Sequence, residues 1–380
     1  MYVLRMLKMG GGRNASRNSS IELLKILAMF CIVVYQVNMS LGVSQIIPPY
    51  HSTHEALQPV NLTLQTISYF GVIGNVIFWV CSCWFLVSDS RMSVRKVFFT
   101  MADVWVISML VFMISACFIG LSSLKGAVIN SVFPTLLSNN WYITCYLILY
   151  ALHPLLNKII NGFDQRSYFR FVIVFFLLYS ITTILYPDLL FTSELIVFAM
   201  IYFVVGYLKQ YGEKLCCNRR LNLMTLALSI AALCAYTLLF DYLSVNYGIA
   251  TERSQFWRKM GNPFVIMMAV SLFNLFRSFE FRNSIINYIS SLTLFIYIIH
   301  ENIVVRSLYR VPLWQWIADR FGTDALLIKH LTYSAALFVV SLVLGIMYKE
   351  TLHRWIAGLL GRLYGVLSGV YKSVENRMLG

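Results

Sequence analysis

Long apolar stretches separated by short polar segments recur along the whole chain. Most are roughly 20 residues long, the length an α-helix needs to cross the hydrocarbon core of a membrane. Their hydrophobic residues do not alternate with polar ones, as they would in barrel strands, so the pattern predicts helices. The predicted spans are 21–42, 66–88, 98–121, 140–161, 169–187, 190–209, 221–243, 260–277, 285–305 and 329–349.

Composition supports the same class of protein. Of 380 residues, 59% are hydrophobic and 12% are charged, and the mean hydropathy is +0.72. A soluble domain carries roughly 25% charged residues because its surface must face water. We therefore predict an all-α, polytopic integral membrane bundle of about ten transmembrane helices over 21–349. A basic tail (1–20) precedes it, and an amphipathic segment (350–380) follows it.

The net charge of +14 is distributed unevenly. With the N-terminus in the cytoplasm, 21 of the 30 lysines and arginines fall in predicted inner segments and 8 in predicted outer loops. Such a bias is typical of membrane topology. It predicts a multi-pass protein of the plasma (inner) membrane with both termini in the cytoplasm, and no nucleic-acid partner. The turn between the fifth and sixth spans is predicted at Tyr186-Pro187-Asp188.

The eight cysteines show no metal-site or disulfide pattern. All but Cys216 and Cys217 lie within apolar runs, and that pair falls in a predicted cytoplasmic loop. We interpret them as small apolar residues and expect no metal site.

Polar residues inside a span are costly, so they indicate candidate functional positions. In the first span Glu22, Lys25 and Gln36 share one helix face, with Gln36 about 16 Å above Lys25. Glu22 and Lys25 are also compatible with a purely interfacial role. In the ninth span, the adjacent His300 and Glu301 are difficult to explain by packing alone.

Two further segments combine small, aromatic and basic residues. The second span runs Gly71-Val-Ile-Gly74-Asn75 to Ser82-Cys83-Trp84, and small residues let membrane helices approach closely. After it come Arg91, Arg95 and Lys96, which suit either a phosphorylated ligand or topology alone. The fourth span begins Asn140-Trp141-Tyr142 and continues with Tyr146, Tyr150, His153 and Pro154, and Pro154 predicts a kink.

Together these segments resemble the membrane acyltransferase-three family. The similarity begins at Arg17-Asn18 and includes Glu22 and Lys25. It continues through Gly71–Leu86 with Arg91 and Arg95, then Asn140–Pro154, and ends with Tyr297–Glu301. It thus covers most of the chain in order, from about 17 to 305.

The resemblance implies transfer of an acyl group, usually acetyl, from cytoplasmic acyl-coenzyme A. The acceptor would be a hydroxyl of a cell-surface polysaccharide or of its lipid-linked precursor. Acyl-coenzyme A would be held by Glu22, Lys25, Arg91, Arg95 and Lys96. Asn75, Ser82, Trp141, Tyr142 and Tyr146 would line the pocket or meet the acceptor.

Three positions depart from the family pattern: Gln36 replaces a histidine, Lys25 an arginine, and Cys83-Trp84 a Gly-Tyr pair. An amide cannot act as a general base near neutral pH. A span that starts near 285 places His300 at about the height of Gln36, roughly 22 Å from the inner face. We therefore hypothesise that His300, oriented by Glu301, supplies the base, while Gln36 only forms hydrogen bonds with the acceptor or the thioester.

Two alternatives stay open. The first is a catalytically impaired relative that moves or organises glycan intermediates, since Gln36 replaces the family histidine. The second is a secondary transporter, which would favour paired broken helices in inverted repeats; the sequence contains no such pair. Oligomeric state does not follow from the sequence.

Overall fold

The computed structural model of the protein describes residues 18–43, 57–135, 140–186, 190, 192–249, 253–321, 325–359, 361–362 and 364–366. Three predicted features lie outside this part of the chain: most of the N-terminal tail, Pro187-Asp188 of the predicted turn, and much of the amphipathic C-terminal segment.

Every regular element in the described ranges is helical. In chain order, the principal helices are α1 (Ser19–Val43), α2 (Pro59–Ile67), α3 (Tyr69–Leu86), α4 (Val94–Ile119), α5 (Val128–Val132), α6 (Trp141–Gly162), α7 (Gln165–Phe176), α8 (Thr182–Leu185), α9 (Glu194–Tyr211), α10 (Glu213–Cys216), α11 (Arg219–Tyr247), α12 (Pro263–Arg277), α13 (Ser284–Ser290), α14 (Thr293–His300), α15 (Val311–Phe321) and α16 (Leu326–Tyr348). Beyond α16, the described residues 349–359, 361–362 and 364–366 are also helical.

Eight of the described helical segments are long and apolar enough to cross a membrane. They correspond to predicted spans one to seven and ten, and the eighth prediction matches the shorter apolar helix α12. The ninth prediction is wrong in one respect, because 285–305 is not one continuous helix. The chain bends by 71° between Ser284–His300 and Val305–Phe321, so this pair forms either one broken span or a re-entrant loop.

Short polar side chains cap the N-termini of several helices. The hydroxyl of Ser93 accepts a hydrogen bond from the backbone N–H of Lys96, and Asp164 accepts bonds from Arg166 and Ser167. Asn218, Asn262 and Asn283 cap α11, α12 and α13 in the same way. These caps satisfy backbone donors that have no partner within the first helical turn.

Close packing of α1 against α3 depends on two glycines. A Cβ atom at Gly74 would lie 2.6 Å from the carbonyl oxygen of Ala28, and one at Gly71 would lie 2.2 Å from the Tyr35 ring. Any larger side chain would force the helices apart. The predicted close approach at these residues is therefore confirmed.

The first turns of α1 are held against α13 by buried polar contacts. The Ser19 hydroxyl donates to the side-chain oxygen of Asn287 at 2.8 Å and accepts from the backbone N–H of Asn283 at 2.7 Å. One turn later, the Ser290 hydroxyl donates to the Glu22 carboxylate. Because these groups are shielded from water, their hydrogen bonds specify the register of the two helices.

Helix α6 passes through Pro154 without ending. Proline lacks the N–H that would bind the carbonyl oxygen of Tyr150, four residues earlier. The imidazole of His153 takes this role, since its Nδ1 lies 2.5 Å from that oxygen. A buried side chain thus satisfies the carbonyl that proline leaves without a partner.

Candidate active site

Two cavities meet inside the bundle at Asn75, which lines both. The first cavity has a volume of about 260 Å³ and is lined by Glu22, Lys25, Ser82, Lys96, Tyr142 and Tyr146, among others. The second has a volume of about 720 Å³ and is lined by Gln36, Trp141 and Glu301, among others. Residues from distant parts of the sequence therefore form two chambers with a shared wall.

Charged groups of the first cavity come from the beginnings of α1 and α4. The Lys25 ammonium lies 3.3 Å from the Glu22 carboxylate. Across the cavity, the Lys96 ammonium donates to the Tyr146 hydroxyl at 3.2 Å and lies 4.4 Å from the centre of the Tyr150 ring. Both cations are thus held by neighbours while they face the cavity, an arrangement suited to an anionic or strongly polar ligand.

The wall at Asn75 is supported by aromatic side chains. The Tyr142 hydroxyl donates to the backbone carbonyl of Asn75 at 3.3 Å, and its ring packs against Phe198 and Tyr297 at centroid distances of 5.2 and 6.0 Å. The side-chain oxygen of Asn75 is buried and has no hydrogen-bond partner in the described part of the chain. This oxygen is thus an unused hydrogen-bond acceptor between the two cavities, while donation from Asn75 is left to its side-chain NH2 group.

Of the three predicted basic residues after α3, only Lys96 lines the first cavity. Arg91 and Arg95 are exposed at the same end of the bundle, with the Arg95 guanidinium over the Phe99 ring at 5.3 Å. Nearby, the Lys209 ammonium donates to the Trp84 carbonyl, and the Arg277 guanidinium lies 4.4 Å from the Trp84 ring centre. We call this surface the basic end of the bundle.

The second cavity lies beside the break that follows α14. Arg310 fills this break with its side chain 2% exposed, donating to the Glu301 carboxylate at 2.6 Å and to the His300 carbonyl at 3.1 Å. The His300 carbonyl belongs to the end of α14, where a helix lacks internal donors and favours a cation. Arg310 therefore stabilises the interrupted helix and fixes the carboxylate.

Gln36 lies opposite this break, on α1. Its side chain has no hydrogen-bond partner in the described ranges, and its backbone carbonyl accepts from the Ser40 hydroxyl at 3.0 Å. The guanidinium of Arg310 in turn donates to Ser40 at 3.2 Å. This chain of contacts joins α1 to the break, so Gln36 and Glu301 face one cavity.

The imidazole of His300 does not line either cavity, contrary to the expected direct contact with the polar face of α1. It is fully buried, with Nδ1 2.7 Å from the carbonyl of Ile296 and Nε2 3.9 Å from the Glu301 carboxylate. Since a carbonyl only accepts, Nδ1 carries the proton and Nε2 is an acceptor. Glu301 therefore stands between His300 and the cavity.

Several residues that shape the two cavities were not among the sequence predictions. Ser290 holds Glu22, Arg310 holds Glu301, and Glu194, Arg258 and Arg306 line the second cavity. On sequence alone, Arg258, Arg306 and Arg310 are ordinary charged residues of predicted outer loops. The unusual signal was a cluster of basic residues on the predicted outer side, where few are expected.

Comparison with known proteins gives one match. The chain matches a family model described as an acyltransferase domain (acyltransferase-3) over residues 18–350, which is most of its length. No curated protein and no solved structure matches it.

Proposed function

Because this chain belongs to the acyltransferase-3 family, we propose that it is a membrane O-acyltransferase. The donor is cytoplasmic acyl-coenzyme A carrying acetyl or another short acyl group. The acceptor is a hydroxyl of a cell-surface polysaccharide or of its lipid-linked precursor. The observation that carries this proposal is the pair of cavities that meet at Asn75, because the reaction needs two substrates that meet at one carbonyl carbon.

The proposal includes an orientation. The basic end faces the cytoplasm, both termini lie on that side of the plasma membrane, and the bundle has about ten membrane elements. The eight long helices, α12 and the bent pair together supply that number. With this orientation, the first cavity opens towards the coenzyme and the second opens towards the glycan.

Size and charge support the first cavity as the donor site. A volume of about 260 Å³ holds the acyl group and part of the pantetheine arm but not a whole coenzyme A. The nucleotide would therefore stay outside, where the exposed Arg91 and Arg95 can bind its phosphates. Lys25 and Lys96 then lie near the thioester, with Ser82 and Tyr146 beside the pantetheine arm.

In the proposed reaction the acceptor oxygen attacks the thioester carbonyl from the second cavity. A C–O bond forms, the C–S bond breaks, and coenzyme A leaves as a thiolate towards Lys25 and Lys96. The side-chain amide of Asn75 donates a hydrogen bond to the carbonyl oxygen as negative charge develops there. Gln36 and Trp141 orient the acceptor.

The acceptor's proton passes to Glu301 and from there to His300. Glu301 is the carboxylate that reaches the second cavity beside Gln36. The unprotonated Nε2 of His300 lies 3.9 Å from it and has no hydrogen-bond partner in the described ranges, so the two groups must approach by about 1 Å for the proton to pass. An imidazole in this state can hold the proton until the thiolate is protonated.

The test is transfer of labelled acetyl from acetyl-coenzyme A in inside-out membrane vesicles that contain the acceptor glycan. We expect Glu301→Gln to lower the transfer rate by about 10²-fold or more, because general-base catalysis typically contributes that much. His300→Ala and Asn75→Ala should also lower it, while Glu280→Gln, an exposed carboxylate outside both cavities, should not.

Melting temperatures of the purified variants show whether each one is folded. Full activity of folded His300→Ala would remove the proton path given above.

One observation favours a second candidate. Gln36 stands at the position of the family histidine, so the chain is also compatible with a relative that moves or organises glycan intermediates without transfer. The same vesicles separate the two functions. If vesicles with the wild-type protein and vesicles with Gln36→His both move the glycan but form no labelled product, the result would support this second function and contradict the first.

A further inference from the structure

The second cavity carries more positive than negative charge. Four cationic side chains and two carboxylates line it, a formal excess of two positive charges: Arg258, Lys259, Arg306, Arg310, Glu194 and Glu301. Charge buried in a membrane protein is costly unless it is compensated, and it is therefore a sign of function. A cavity of this kind concentrates anions.

The excess does not come from the buried ion pair. Arg310 is neutralised by Glu301 at 2.6 Å and is used internally by the broken helix. The excess positive charge therefore comes from the other charged residues of the cavity, which are Arg258, Lys259 and Arg306 with one carboxylate, Glu194.

Among these cations Arg306 is the most available for a ligand. It lies half-buried in the π-helical turn just after the break. Its guanidinium makes no hydrogen bond or ion pair with the described residues, although it lines the cavity.

The same cavity also has the side chains that bind a sugar ring. Tyr35 and Trp141 provide aromatic faces for the C–H groups of a pyranose. Gln36 and Ser307 provide hydrogen-bonding groups for its hydroxyls. A guanidinium beside these groups suits a planar carboxylate or a phosphate, which it can bind through two parallel hydrogen bonds.

We propose that the second cavity selects an acidic acceptor: a glycan whose reacting hydroxyl lies close to a carboxylate or phosphate group that Arg306 binds. This inference rests on the proposed function for the role of the cavity, and it adds the chemical class of the substrate. The anionic group is either part of the sugar, as in a uronic acid, or the diphosphate of a polyprenyl carrier.

The experiment compares two matched probes on the purified full-length protein in detergent. One is a disaccharide with a single glucuronic acid, and the other is the same disaccharide after reduction of its carboxyl group to the alcohol. Binding is measured by calorimetry, and KM and kcat are measured with acetyl-coenzyme A. We expect the acidic disaccharide to bind at least about tenfold more tightly, since a charge-assisted contact contributes about that factor.

Three variants make the test specific to one side chain. Arg306→Gln should remove the preference by raising KM for the acidic disaccharide about tenfold, with little change in kcat or in binding of the reduced one. Arg306→Lys should restore part of it, because the charge returns without the bidentate geometry. Arg320→Gln, an exposed arginine on α15 outside the cavity, should leave both probes unaffected.

A third probe identifies the source of the anion. A neutral disaccharide linked to polyprenyl diphosphate is compared with the free neutral disaccharide. Arg306-dependent tighter binding of the linked form assigns the site to the carrier diphosphate, and preference for the uronic acid assigns it to the sugar. Either result supports the proposal.

Other outcomes overturn it. Equal affinity within both probe pairs, acidic against reduced disaccharide and diphosphate-linked against free neutral disaccharide, would exclude an anion site at Arg306. A preference that survives Arg306→Gln would exclude it as well. Displacement of the acidic disaccharide by adenosine 3′,5′-bisphosphate would show that the cavity binds the coenzyme instead. Arg306-dependent binding without transfer to any acceptor would contradict only the proposed function. Transfer with equal KM values within both probe pairs would contradict only this inference.

Discussion

At the scale of single residues, function depends on how a few polar side chains are held within an apolar bundle. Arg310 shows this most clearly, since it binds Glu301, the end of α14 and Ser40 of α1 at once. Removing one partner of such a buried pair costs roughly 3–5 kcal/mol, because the other charge is left alone. Gln36 is the opposite case, with a side chain that no described residue engages.

Gln36 is therefore the position at which a gain of activity is expected. An imidazole at this position faces the second cavity directly, without the intermediate carboxylate that separates His300 from it. We predict that Gln36→His raises acetyl transfer by about tenfold or more, which is less than the roughly 10²–10⁴-fold of a full general-base effect because Glu301 and His300 already supply part of it. Initial rates with labelled acetyl-coenzyme A measure this, with Gln36→Asn as the control that keeps an amide. An unchanged rate would mean that Glu301 and His300 already supply all the proton transfer that position 36 could add.

At the scale of helices, two devices compensate for residues that ordinarily weaken a span. His153 satisfies the carbonyl that Pro154 leaves without a partner, and Gly71 and Gly74 allow α1 and α3 to meet closely. Each of these contacts also positions residues of the candidate site. Helix α6 carries Tyr142 and Tyr146, and the contact between α1 and α3 brings Gln36 and Asn75 to the same cavity.

The His153–Pro154 pair predicts a coupled effect on stability. We expect His153→Ala to cost about 1–3 kcal/mol, because the Tyr150 carbonyl is then buried without a donor. Pro154→Ala in the same chain should recover most of this, since the alanine N–H restores the helical hydrogen bond. Unfolding of the purified single and double variants measures the coupling. Additive effects of the two substitutions would contradict this explanation.

The glycine contact predicts a stability loss that depends on position. Gly74→Ala should lower the melting temperature and also reduce transfer, because the added Cβ meets the backbone oxygen of Ala28 at 2.6 Å and moves α1 relative to Asn75. Gly162→Ala at the end of α6 is the matched control, with no atom within 4 Å of the added Cβ. Equal melting temperatures for the two variants would show that α1 and α3 can separate freely.

At the scale of the whole molecule, charge and cavities follow one axis. The basic end lies beside the first cavity, and the second cavity lies beside the break after α14. The proposed orientation places Cys217, which is exposed, in the cytoplasm and Lys125 outside.

Membrane-impermeant maleimide tests this orientation. Intact cells should give no label at Cys217, and permeabilised cells should give a label that Cys217→Ser removes. When Lys125→Cys is added to the Cys217→Ser variant, the new cysteine should react with the maleimide in intact cells. The reverse pattern would invert the assignment of donor and acceptor cavities.

Much of the architecture was already readable in the chain. Lipid leaves backbone groups no partner but each other, so runs of apolar residues had to become helices. Eight of the ten predicted spans correspond in order to long apolar helices in the described part of the chain. The polar positions Glu22, Lys25 and Glu301 were visible for the same reason, because such residues are rare in that environment. Asn75 and Tyr142 were indicated by the family resemblance.

Other features depended on contacts between distant segments. The bend after His300 depends on Arg310, which can be recognised only once α14 and Ser40 surround it. Burial of His300 behind Glu301, and the gathering of Arg258 and Arg306 around one cavity, also arise from helix packing. Hydrophobicity determines which segments enter the membrane. Because several faces of a helix are similarly hydrophobic, it does not determine which face packs against a neighbouring helix. Only packing decides which polar groups meet.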